Sequence, residues 1–191
     1  EDYTLDQFPL RDRFRQIKSL FHYYAMRRGD NNDIYIADGY AAKVEYPLNP
    51  ESVAHATKRF GDFYEKFLKD TGSKVYMAVV PDKGYYLAQP NGYLAMDYQA
   101  MFDSLKQQLP WATHVDITDC LSFEDYYRTD THWRQENLIR AAKTLCDAMG
   151  ISAPEQIRST VLERPFYGVY YGQAALPMKP DVLAVLEMEY L

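Results

Sequence analysis

The sequence predicts an α/β domain, a mostly parallel sheet with flanking helices, and three observations carry that expectation. Residues 74–150 follow the order strand, helix, strand, helix, which builds a parallel sheet through crossover connections. The run Lys74–Val80 is almost continuously apolar, as in a strand covered on both faces. The chain of 191 residues is 47% hydrophobic and 25% charged, enough to close one core without disulfides or metal.

The elements follow in chain order. In Pro9–Arg28, Phe14, Ile17, Phe21 and Tyr24 recur at helical steps. Asp33–Ile36 and Tyr40–Val44 flank Asp38-Gly39, a dipeptide suited to a tight hairpin, so an N-terminal helix and hairpin occupy residues 6–45. Asn49 and Pro50 open a second helix, whose stripe is Val53, Ala56, Phe60, Phe63 and Phe67, and Gly72 ends it. A third helix runs from Tyr98 to Leu109, with Tyr98, Phe102, Leu105 and Leu109 on one side. Thr113–Ile117 is the next strand. The last helix, Arg134–Met149, aligns Leu138, Ala142, Leu145 and Met149 before Gly150. All four stripes are expected to be core. The aromatic-rich tail, 158–191, closes on Leu186, Met188 and Tyr190 alternating with Glu187 and Glu189, the period of a half-buried strand. This alternation runs to Leu191, and the native product is expected to continue past it. The whole, 1–191, is taken as one domain.

Charge and composition exclude some functions. Lys+Arg 21 against Asp+Glu 27 leaves a net charge of -6, and an acidic chain without a basic run is a poor nucleic-acid binder. No apolar run approaches the ~20 residues of a membrane span. The 18 Tyr and 9 Phe suit layer-edge packing, and equally a surface that stacks on sugars; the stretches Tyr85–Tyr98 and Phe166–Tyr171 are the places for one. Cys120 and Cys146 lie far apart in sequence, with a disulfide between them left open. No phosphate-cradling glycine loop is present, so no organic cofactor is implied. No oligomeric state is implied either.

The segment that could carry chemistry is Tyr126-Tyr127-Arg128-Thr129-Asp130-Thr131-His132-Trp133, lying between a strand and the last helix. Loops at the carboxyl ends of parallel strands are where such folds build their sites. In an extended segment Asp130 and His132 leave on one side, and Trp133 on the other, toward the core. The carboxylate can then hold one ring nitrogen and leave the second as a proton acceptor, the base half of a Ser-His-Asp hydrolase. Two other readings share the pattern: a structural histidine near a helix start, and two ligands of a metal site. His22, His55 and His114 supply no further ligand spacing for zinc.

The run Tyr-Arg-Thr-Asp-Thr-His-Trp resembles the Asp-His-His-Trp signature of bacterial DHHW proteins and the Thr-Asp-x-His-Trp motif of alginate O-acetyltransferases. Three further stretches fit in order: Asp6-Gln7-Phe8-Pro9-Leu10-Arg11-Asp12, then Asn32-Asp33-Ile34-Tyr35-Ile36 with Asp38-Gly39-Tyr40, then Val80-Pro81-Asp82-Lys83. Thr131 departs from the DHHW pattern, at a position that the acetyltransferase motif leaves free. The resemblance implies a three-layer, SGNH-hydrolase-like (flavodoxin-like) fold, incomplete at the C-terminus. It also implies Asp130 as orienting acid, His132 as general base, and Tyr127 and Arg128 as contacts to the acceptor or developing oxyanion. The family nucleophile is a serine well downstream of the Asp-x-His element. None of Ser19, Ser52, Ser73, Ser104, Ser122, Ser152 and Ser159 sits in such a turn, so the serine is expected beyond Leu191. The implied activity is O-acyl transfer or ester hydrolysis on envelope polysaccharide or exopolysaccharide, outside the inner membrane, with a polysaccharide and an acyl donor as partners. The alternatives are an inactive carbohydrate-binding or scaffold module on the same fold, and a metal-dependent hydrolase.

Overall fold

The structure, a computed structural model, describes residues 9–153 and 157–188, and among these the chain forms six α-helices and six strands. The helices are α1 (Arg11–Leu20, running on into a π-turn at Phe21–Ala25), α2 (Pro50–Phe67), α3 (Lys83–Leu87), α4 (Tyr98–Gln108), α5 (Ile139–Met149) and α6 (Val169–Ala174). The strands are β1 (Ile34–Ala37), β2 (Tyr40–Lys43), β3 (Tyr76–Met77), β4 (Thr113–His114), β5 (Ile157–Phe166) and β6 (Asp181–Met188). Asp6, Gln7 and Phe8 of the first motif, and Glu189, Tyr190 and Leu191, lie outside the described residues.

The β1–β2 hairpin is central. Its turn residues Asp38 and Gly39 have φ of 50° and 82°, the paired positive angles that match the strand twist of a two-residue connection. Side chains alternate between two apolar layers. Tyr35, Ala37, Tyr40 and Ala42 pack on Leu87 and Ala88, whereas Ile34 and Ala41 pack on Tyr170 and Ala174. The hairpin is therefore covered on both faces, by α3 on one side and α6 on the other.

The parallel unit is present but short. β3 pairs with β4 through Tyr76↔Thr113 and Met77↔His114, and the N–H groups of Thr113 and Val115 extend the ladder to Val75 and Met77. Only two residues of each apolar run form strand, because among the described residues no second backbone pairs with Val79 and Val80. Among the described residues the sheet is thus one of three two-stranded pieces in a mixed helix-and-sheet structure. The third piece is the antiparallel β5–β6 hairpin, with an irregularity between Val161 and Pro165. Its second strand includes Leu186 and Glu187 of the alternating run, with Leu186 half-buried and Glu187 exposed.

The four expected helices form, with two corrections, and α3 and α6 are additional to them. The first concerns α5, which begins five residues later than Arg134. The Arg134 N–H is spent on Asp125 O at 2.7 Å, closing the preceding loop, and residues 135–137 form a 3-10 turn instead. The second concerns the apolar stripes of α1 and α2, which are not core among the described residues, and that of α5, where Ala142 and Met149 are exposed and Ala141 is buried instead. Ile17, Phe21 and Tyr24 are 63%, 60% and 65% exposed, and Phe60, Phe63 and Phe67 about half exposed. Positions off the stripe, opposite it on α1 and flanking it on α2, make the tertiary contacts. On α1, Ser19 accepts from Asn31 Nδ2 at 2.8 Å and Arg15 donates to Gly172 O at 2.8 Å. On α2, Thr57 donates to Gln108 Oε1 at 2.6 Å and Tyr64 stacks on Trp111 at 4.2 Å. Beside the Phe60–Phe63 face lies a cavity of about 670 Å³, lined also by Tyr76, Met77 and Trp111.

Candidate active site

The loop Tyr126–Trp133 is closed at its base by backbone bonds. Tyr126 bridges Trp133, and Tyr127 N donates to His132 O at 3.1 Å. Trp133 packs with Ile117, Leu121 and Ala141, fixing the exit of the loop in the core. The Tyr126 hydroxyl donates to the Pro81 carbonyl, fixing the entrance. Between these anchors the chain runs alongside β2, where Ala41 N donates to Arg128 O at 2.8 Å.

Asp130 is buried at the bottom of this loop and every one of its lone-pair directions with a partner faces an N–H. Oδ1 accepts from His132 N at 3.0 Å and meets His132 Nδ1 at 2.5 Å, while Oδ2 accepts from Val169 N at 2.8 Å. Burial pushes this carboxyl upward, but the backbone N–H groups of His132 and Val169, with the imidazole, outweigh it and hold Asp130 below the ordinary carboxylate range. An ionised carboxylate only accepts, so Nδ1 of His132 is the donor and Nε2 carries the free lone pair. The ring itself is 76% exposed, against 9% for the Asp130 side chain. No described residue hydrogen-bonds Nε2. The pair can therefore take a proton from a group brought to it from outside and return it.

The same loop is gripped from two further directions. Lys83, 2% exposed, donates through Nζ to Tyr127 O and to Asp130 O, both at 2.7 Å, and lies 5.1 Å from the Tyr170 ring centroid. Loss of solvation lowers its pKa to about 7, with Asp181, Asp130 and Asp82 opposing the fall. Asp181, at the start of β6, accepts from Arg128 N at 2.7 Å, Thr129 N at 2.8 Å and Thr129 Oγ1 at 2.5 Å. Gly168 sits directly on Asp130.

Of the residues singled out in the sequence, Asp130 and His132 are in contact. Tyr127 is not on the surface: its ring is buried, edge-on to Phe166 at 5.3 Å. Arg128 is exposed, its guanidinium 5.5 Å from the Tyr40 ring. Ser122 is committed elsewhere, to Asp125 Oδ2, in a capping box. In the aromatic stretch Tyr85–Tyr98, Tyr85 and Tyr98 pack edge-to-face at 5.1 Å, whereas Tyr167 beside Gly168 is exposed and tilted over Tyr171 at 4.5 Å. Among the described residues no three His, Cys, Asp or Glu side chains gather as a metal cluster, and the two thiols are free. Asp181, Gly168 and Val169 have no signal in the sequence, since they meet the loop only through the fold; Lys83 carried one, in the Pro-Asp-Lys stretch.

No family model matches the sequence. No curated protein matches it either. Solved structures do match, and they define the class of fold. A DHHW family protein from Eubacterium siraeum aligns with a TM-score of 0.63 and 22% identity, over 84% of this chain and 56% of that one. The O-acetyltransferase domain of Pseudomonas putida AlgJ aligns at 0.57 and 17% identity, over 82% of this chain and 66% of that one. Bacillus cereus PatB1, solved with a sulfonyl adduct, aligns at 0.61 and 14% identity, over 82% of this chain and 56% of that one. The chain thus shares its fold with a DHHW family protein, with the O-acetyltransferase domain of AlgJ and with PatB1. It spans little more than half the length of the first of these structures.

Proposed function

We propose that this chain is part of an SGNH-like O-acyltransferase or esterase acting on acyl groups of cell-envelope polysaccharide or exopolysaccharide outside the inner membrane. The observation that carries the reading is the exposed imidazole of His132, with Nδ1 2.5 Å from a buried, ionised Asp130. The neighbours' fold and the Asp-x-His-Trp run support it, and on this reading the β3–β4 pair belongs to a wider three-layer sheet. Tyr127 serves the site by packing; Arg128 and Tyr167, both exposed near it, are the groups for acceptor contact.

The serine is assigned to a part of the protein outside this chain, in keeping with the greater length of the neighbours. Its Oγ attacks the acyl carbonyl while Nε2 of His132 takes the hydroxyl proton. Collapse of the tetrahedral adduct expels the donor alcohol, which receives that proton and leaves an acyl-serine. A sugar hydroxyl or water then attacks, giving its proton to Nε2; serine departs and takes the proton back. Asp130 stays ionised throughout, fixing the ring and stabilising the imidazolium.

The test uses the longest native product containing this chain, incubated with a fluorophosphonate probe and with a chromogenic acyl ester. Serine labelling and turnover are expected, and Asp130→Asn, which keeps the shape but loses the tautomer, should lower kcat by a factor on the order of 10⁴. Absence of labelling, with glycan binding unchanged in His132→Ala, points instead to a binding module. Turnover abolished by a chelator and restored by zinc points to a metal-dependent hydrolase.

A further inference from the structure

The backbone of residues 127–130 is held almost entirely by groups distant in sequence. Tyr127 O and Asp130 O both accept from Lys83 Nζ at 2.7 Å. Arg128 N and Thr129 N both donate to Asp181, at 2.7 and 2.8 Å. Arg128 O and Thr129 O are taken by the N–H groups of Ala41 and Tyr171. Lys83 and Asp181 are each buried, at 2% and 6% exposure, and neither reaches the imidazole. A buried ammonium and a buried carboxylate are costly to keep unless their bonds are needed. Here the hydrogen bonds of both go to the loop, to its backbone and, for Asp181, also to the Thr129 hydroxyl.

The geometry points to Lys83 and Asp181 as a two-sided clamp on the loop, positioning residues that fix the peptide planes at 127–130 and so aim the Asp130 carboxylate at His132. Lys83 grips the two carbonyls that bracket the loop; Asp181 grips the two N–H groups between them. A side chain hung on such a tight loop points wherever those planes send it, and Asp130 has to present one oxygen to Nδ1 and the other to Val169 N at once. Lys83 suits this task because its ammonium has three donors, and even the neutral amine keeps two, enough for both carbonyls. Thr129 links the two grips to α6, since its Oγ1 donates to Asp181 and accepts from Gly168 N at 2.9 Å. This role rests on the proposed function, in which the Asp130–His132 pair is the base.

The readout is the tautomer of His132, which needs no turnover. Long-range proton–nitrogen correlation of the ring, on chain labelled at histidine and at a pH where the imidazole is neutral, shows which nitrogen bears the proton. The wild-type chain is expected to carry it on Nδ1. Lys83→Met and Asp181→Asn, each checked for native circular dichroism, are expected to revert to the Nε2–H form of a free imidazole. A folded Lys83→Met chain that keeps the Nδ1–H tautomer overturns the role of Lys83, and a folded Asp181→Asn chain that keeps it overturns that of Asp181. Should Lys83→Met fail to fold, Asp181→Asn decides whether the clamp exists. In the intact protein the same variants should lower kcat roughly tenfold or more with KM little changed, the mark of lost orientation. If the intact wild type hydrolyses no ester, the functional reading fails, while the tautomer comparison still decides the clamp.

Discussion

Gly168 illustrates how much a single missing side chain can matter. A Cβ there would lie 2.3 Å from Asp130 Cβ and 2.4 Å from Asp130 Oδ2. Its backbone, at φ -84° and ψ -174°, is open to any residue, so space and not conformation demands glycine. Nor can Asp130 retreat, since its two oxygens are bonded to Val169 N and to His132. Gly168→Ala should therefore push the carboxylate off both partners, destabilising the chain by about 1–3 kcal/mol as overpacking does. Thermal unfolding reads the destabilisation, and loss of the Nδ1–H tautomer of His132 reads the displaced carboxylate. The Asp130–His132 pair is legible in the sequence because a carboxylate two residues before a histidine can accept its backbone N–H and its ring N–H together. Gly168 and Asp181 are illegible for the opposite reason: they reach Asp130 and Thr129 across 38 and 52 positions, and nothing local marks them.

At the scale of elements, legibility follows whether the determinant is local. The hairpin turn is local: Asp38 and Gly39 set their own angles, and β1–β2 falls where the dipeptide puts it. So is the start of α2, where Asn49 Oδ1 accepts from Ser52 N at 3.0 Å and Pro50 occupies the first turn. Removing that cap with Asn49→Ala should cost about 1 kcal/mol, measurable as a lower denaturant midpoint with an unchanged slope. The direction in which α2 faces is not local. Periodicity finds its Phe60–Phe63–Phe67 stripe, yet the helix packs through Thr57 and Tyr64 on α4 and Trp111. An apolar stripe says which face needs covering and not which face the neighbours in hand will cover. The strand at Lys74–Val80 is cut to Tyr76–Met77 for a similar reason, because apolar content cannot supply the second backbone that a ladder requires.

Across the whole molecule, buried titratable groups give the stability a pH profile that the net charge of -6 does not. Lys83 ordinarily ionises at 10.5, and burial brings it to about 7 in the native chain. Between those two values the unfolded chain holds a proton that the folded chain has released, so stability rises with pH. The rise is at most about 1.4 kcal/mol per pH unit, and it is absent below pH 7, where both states are protonated. Above pH 10 the sign reverses. Burial pushes the hydroxyls of Tyr35, Tyr86 and Tyr126 above their ordinary range, so the unfolded chain loses protons that the folded one keeps. Denaturant midpoints taken from pH 6 to pH 11 should therefore climb from about 7, crest near 10 and fall. Lys83→Met should flatten the climb and leave the alkaline fall in place, because the tyrosines remain. A wild-type chain whose midpoint is level from pH 7 to pH 10 would mean that Lys83 keeps its proton throughout, with its ammonium and not its amine bound between Tyr127 O and Asp130 O.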